Sequence, residues 1–172
     1  MHRTAAALND AHVPFVVIGG SAVGVWVATR DEGAVRNTPN VNILMDRRDW
    51  ARAIAAMSAS GFDAANPDGL PVFLDRNDPS PRRGVHVHFA GEPIRPGASV
   101  IAPAVKVGIA HDGVPALDLK ELIVLKLSAF RNIDRVHIRD MIRVGLISDA
   151  IADQIPAELR PRLEEIRANP DG

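Results

Sequence analysis

The chain has 172 residues, enough for one domain with a real core and a helical annex. Its net charge of −1 excludes a broad electrostatic field for nucleic acid, and its 4% aromatic content, without a single Tyr, argues against a stacking platform for single strands. It has no Cys, which excludes disulfides and thiolate metal sites. The opening residues MHRTAAALND lack the apolar stretch of a secretion signal, and no run approaches the ~18 apolar residues of a membrane span. A cytoplasmic protein with no membrane partner is the expectation.

In chain order, Thr4 to Ala11 reads as a short helix ahead of Pro14. Phe15-Val16-Val17-Ile18 is a continuous apolar run, the pattern of a buried strand. Gly19-Gly20 breaks it, and Ser21 is placed to cap a helix over Ala22 to Ala28. A polar loop comes next, then a strand containing Val41 to Met45, with Asn40 and Asn42 two apart and so on one face. Asp46, with Asp49 three residues on, predicts the start of a helix over Arg47 to Ser60 that turns Trp50, Ile54 and Met57 to one side and ends at Gly61.

The middle, Phe62 to Arg83, is rich in Pro, Asp and Asn, and predicts two short strands, near Phe62 and over Val72 to Leu74. Val85-His86-Val87-His88-Phe89 alternates strictly and predicts a strand with both His on one face. Gly91 to Gly113 reads as a connector with a short strand near Val105 to Val107. Asp118 then caps a helix to about Phe130, with Glu121 at the capping-box position. Ile133 to Val144 is a second helix stopped by Gly145; a third starts at Ser148 or Asp149, and a fourth runs from Pro156 to Asn169. The expected architecture is α/β, in the α+β sense: a small twisted mixed sheet of about four or five strands, flanked by helices. The expected division is an α/β core over 1–113 and a C-terminal helical region over 114–172, packed on the core.

Two glycines after a buried strand let the backbone approach a ligand closely, and the helix start behind them offers unpaired N–H groups to a phosphate. A tight strand-to-helix turn is the plainer reading of the same residues. Together, Gly19-Gly20-Ser21 and Arg36-x-Thr38-x-Asn40-Val41-Asn42-Ile43 resemble the nucleotidyltransferase superfamily of the DNA polymerase beta type, nearest its minimal and abortive-infection-type members. The tail is similar as well: Leu125-Lys126-Leu127 and Asp134-Arg135-x-His137-x-Arg139-Asp140-Met141 resemble that group's later helices, so the likeness covers roughly residues 13 to 148.

The resemblance implies a phosphate site at Gly19, Gly20 and Ser21, with Lys126 reaching a triphosphate. Its two metal-binding Asp fall on Asn40 and Asn42, and its third carboxylate on His86. All three departures remove negative charge, which leaves a pair of Mg²⁺ ions without an anionic ligand. No catalytic residue and no resident metal or cofactor is therefore assigned, and Mg²⁺ enters only if an active site survives. Asp46, Asp49, Asp75 and Asp78 could supply carboxylates only through an altered geometry. The expected function is a catalytically degenerate binding module for a nucleotide or a protein partner, in the manner of toxin–antitoxin components. The alternative is an active metal-dependent enzyme moving a nucleoside monophosphate to a hydroxyl. A third reading is an unrelated α/β domain.

Other polar residues have plainer readings. Lys126 could snorkel along its helix. Asp134, His137 and Asp140, at spacings of three and interleaved with Arg135 and Arg139, read as a solvated face of ion pairs rather than a metal site. His86 and His88 read as a hydrogen-bonded or exposed pair, and Arg47-Arg48 and Arg82-Arg83 as solubilising surface.

Overall fold

The computed structural model describes residues 1–94 and 96–169. The first apolar run is strand β1, Phe15–Ile18, buried at all four residues. Strands β2, Val41–Met45; β3, Phe62–Ala65; β4, Val72–Asp75; and β5, Val85–Phe89, come next, where the sequence places strands. Two more, β6, Val107–His111, and β7, Val114–Leu117, complete one sheet in the order β3-β4-β5-β2-β1-β7-β6. β1 runs antiparallel to β2 and parallel to β7, and β2 runs parallel to β5, so the sheet is mixed.

Among the described residues the sheet has seven strands, more than the four or five expected. The additional pair is a hairpin. Asp112 (φ 49°) and Gly113 (φ 74°) both take the left-handed conformation that a two-residue hairpin turn demands. The 113/114 division expected from the sequence thus falls between that turn and β7, and the sheet continues through Leu117.

Helices are α1, His2–Asp10; α2, Gly19–Ala28; α3, Trp50–Ala59; α4, Leu119–Ala129; α5, Asn132–Arg143; the short α6, Asp149–Ala152; and α7, Arg160–Ala168. α2 lies on β1, β2 and β7, and α4 and α5 pack on α2 in turn. The C-terminal helices therefore extend the layer that α2 lays on the sheet. α1 and α3 pack on each other, with α3 also against β3. One contiguous core runs from Leu8 through β1, β2 and β5 to Leu122, Ile138 and Met141. Asp118 caps α4 as expected, its carboxylate accepting from the Lys120 and Glu121 amides. Among the described residues, no helix is long and apolar enough to cross a membrane.

Candidate functional site

β1 ends at Ile18, and Gly19 turns the chain with φ +66° straight into α2. A side chain is unwelcome in that conformation, which explains the glycine. The helix starts three residues earlier than the sequence suggests. Ser21 lies inside its first turn rather than capping it, and its hydroxyl donates weakly to the Asn40 carbonyl at 3.4 Å. Among the described residues no side chain caps the α2 N-terminus.

Asn42 stands opposite Ile18 in the β1–β2 register and level with His86 in the β2–β5 register. An ideal Cβ on Gly19 would lie 3.6 Å from Asn42 Nδ2. The glycine turn, Asn42 and His86 therefore meet at one end of the sheet. Asn40 does not share the strand. It sits in a bend just before β2, behind Pro39, so the two-apart argument fixes only Asn42 on the sheet face.

The two His on β5 are both engaged. His86 Nε2–H donates to the Pro81 carbonyl at 2.8 Å. His88 Nδ1–H donates to the Ile94 carbonyl at 2.7 Å, and its Nε2 lies 3.1 Å from the Asn42 side-chain oxygen. Burial lowers the His88 pKa, against the hydrogen bond to Ile94. A neutral ring that gives its one proton to Ile94 has a lone pair at Nε2, which an amide N–H satisfies when the Asn42 amide turns that way. Asn42 thus bridges His88 and the glycine turn through neutral groups.

On the other side of the turn lies a buried ionic unit. Lys126 of α4 donates to Asp134 Oδ1 at 2.7 Å and to His137 Nδ1 at 2.9 Å. Arg131 reaches the other Asp134 oxygen at 2.7 Å. Asp140 is held bidentately by Arg36, at 2.5 and 3.1 Å. Burial opposes the Asp134 charge, but hydrogen bonds from Arg131 and Lys126 outweigh it and hold the carboxyl below its usual range. Burial pushes the Lys126 amine down, against the pull of Asp134. Lys126 serves one anion, whereas Asp134 is served by two cations. His137 is lowered to about 4, first by burial and then by the adjacent Lys126.

The Asp134–His137–Asp140 run is therefore not the solvated face expected from the sequence: all three are buried, along with Ile138 and Met141. The reason is that α5 turns this side toward α2 and α4. Positions 134, 138 and 141, at i, i+4 and i+7, were the available signal. Lys126 is engaged by Asp134 and by His137 Nδ1. It is His137 that borders the turn: an ideal Cβ on Gly20 would lie 3.3 Å from His137 Cε1 and 2.7 Å from the Thr38 methyl. Gly20 is small because two side chains close over it.

Mg²⁺ wants oxygen ligands with at least some formal charge. The side chains gathered beside the turn from β2 and β5 are Asn42, His86 and His88, with no carboxylate among them. Among the described residues no three His, Asp or Glu side chains form a group that could hold a metal. This donor set does not fit the divalent cation that the family resemblance implies, and no chemical step is derived through one.

No family model matches the chain, and no curated protein matches it by sequence. Solved structures do. The solution structure of the antibiotic-resistance factor ANT(2'')-Ia is 15% identical, with a TM-score of 0.57, over 97% of this chain and 90% of that one. The crystal structure of ANT(2'')-Ia in complex with adenylyl-2''-tobramycin is likewise 15% identical, with a TM-score of 0.56, over 98% and 93% of the two chains. The chain carries the nucleotidyltransferase fold. At this identity the likeness speaks for the fold alone.

Proposed function

We propose that this chain is a catalytically degenerate nucleotidyltransferase-fold protein that binds a nucleotide through its phosphates, with Asn40, Asn42 and His86 standing where an active relative carries metal-binding carboxylates. One observation carries the reading. The α2 start is an uncapped glycine turn, and Asn42, paired to His88, and His137 beside it are neutral hydrogen-bonding side chains. Backbone N–H groups and the positive end of the helix dipole attract phosphate without a metal. The neighbour ANT(2'')-Ia holds an adenylylated aminoglycoside on this fold, which supports a nucleotide as the class of ligand.

Calorimetric titration with ATP and GTP, with and without Mg²⁺, tests this. Weak binding that Mg²⁺ changes little is expected, with amide shifts at Gly19 to Ala22 and no pyrophosphate release. Tight binding that requires Mg²⁺, or pyrophosphate release with any hydroxyl acceptor, would promote the active-enzyme reading. No binding at all would leave the fold serving a protein partner.

A further inference from the structure

His137 borders the glycine turn with a ring nitrogen, Nε2, that has no hydrogen-bond partner among the described residues. The residue is only 5% exposed. Lys126 is a pure donor, so its 2.9 Å contact with Nδ1 makes that nitrogen an acceptor and leaves the ring proton on Nε2. Asp134 holds the ammonium in place at 2.7 Å. Nε2 has no hydrogen-bond partner among the described residues, yet Arg135 Nε is the sole polar side-chain atom there that is both sealed and unpaired. The Nε2–H therefore reaches solvent, and it lies 3.6 Å from where a Gly20 Cβ would be, beside the uncapped N-terminus of the ten-residue α2.

We propose that His137 is a phosphate-binding residue of this site, donating from Nε2 to an anion seated on the α2 N-terminus, and that Lys126 is a positioning residue that fixes the tautomer without touching the ligand. This rests on the nucleotide reading above. It relocates the role that the family resemblance assigns to Lys126. The ammonium is 5% exposed and engaged by Asp134 and by His137 Nδ1, whereas the imidazole borders that turn. The low His137 pKa keeps the ring neutral near neutral pH, so the donor is an N–H rather than an imidazolium.

The test is ¹⁵N NMR of the His side chains in the full chain, first free and then titrated with ATP and with inorganic triphosphate. The free protein should show His137 as the Nε2–H tautomer, and both ligands should shift that nitrogen together with the amides of Gly19 to Ala22. His137→Leu should weaken binding about tenfold, the loss of one hydrogen bond to a charged group, while His137→Gln, which retains a donor at the same reach, should restore most of it. Lys126→Met should weaken binding no further when His137→Leu is already present. Amide spectra of each variant verify that it is folded. An Nδ1–H tautomer in the free protein overturns the proposal. So does ligand binding at the turn with His137 unmoved, or a full additional loss from Lys126→Met, and in those cases the nucleotide reading stands. Absence of any shift at Gly19 to Ala22 with either ligand overturns both.

Discussion

Replacing Lys126 by Met removes the ammonium and leaves a flexible apolar chain of similar length. Lys126 is 5% exposed and Asp134 1%, so Asp134 is left in a place water hardly reaches. Breaking a buried ion pair from one side costs about 3–5 kcal/mol. Arg131 stays on Asp134 at 2.7 Å, so the carboxylate is not stripped, and the lower end, about 3 kcal/mol, is expected. In a domain of this size that lowers Tm by roughly 10 °C.

The deficit should depend on pH, through His137. In the natural protein its folded pKa, about 4, lies below the unfolded value near 6.5, so acidification lets the unfolded chain take up a proton that the native state refuses, and stability falls between those values. In the variant the downward push of Lys126 is gone, while Asp134 and Asp140 still pull upward against burial and Arg36. The folded pKa rises toward the unfolded value, so the variant loses less stability than the natural protein as pH falls. Urea unfolding at about pH 8 and about pH 5.5 should show the deficit shrink at the lower pH, and NMR titration should place His137 higher in the variant. A deficit under ~1 kcal/mol at the higher pH, or one equal at both, would refute the reasoning, because it would mean Asp134 is not paired as described.

Gly108→Ala should fail to fold or lose several kcal/mol, since its Cβ would lie 2.6 Å from Asp118 Cα and 2.7 Å from Trp26, and a backbone atom cannot swing aside. Gly61→Ala, at φ +86° with open space around it, should cost only about 1 kcal/mol by thermal unfolding; equal losses for the two would contradict the close approach at Gly108. The triple variant Asn40→Asp, Asn42→Asp, His86→Asp should be less stable than the natural chain without metal, and Mg²⁺ or Mn²⁺ at a hundredfold excess over the dissociation constant should recover about 2.7 kcal/mol. The natural chain should show almost no such shift; a large one would mean the metal ligands lie elsewhere.

Residues that settle their own local structure were legible. The apolar run of β1 cannot be solvated, Asp118 caps the helix that starts at Leu119, and His86 and His88 alternate with Val and Phe. The β6–β7 hairpin was hidden because Pro103, Pro115 and Gly108 make its surroundings resemble a connector. Its real signal was the Asp112-Gly113 pair between short apolar runs. Asn40 read as part of a strand because alternation alone ignores Pro39. The burial of Asp134, His137 and Asp140 lay beyond local reasoning. Their charge says surface, and only the packing of α5 on α2, with Lys126, Arg131 and Arg36 supplying the countercharges, makes an interior position tolerable.

That interior unit is informative because stability alone does not demand it. A buried ion pair replaced by well-packed apolar side chains is often as stable or more so. A plug of Leu or Met at positions 126, 134 and 137 would fill the same space between α4 and α5. It could not offer an N–H of fixed direction beside Gly20. Asp134 orders Lys126, Lys126 selects the Nε2–H form of His137, and a residue without a Cβ leaves room for that ring at the helix start. Asn42, ordered by His88 from the sheet side, borders the same turn. Both arms deliver neutral groups, and neither relies on a cation to reach the ligand. The polar interior makes physical sense as the means of aiming hydrogen bonds at the uncapped end of α2.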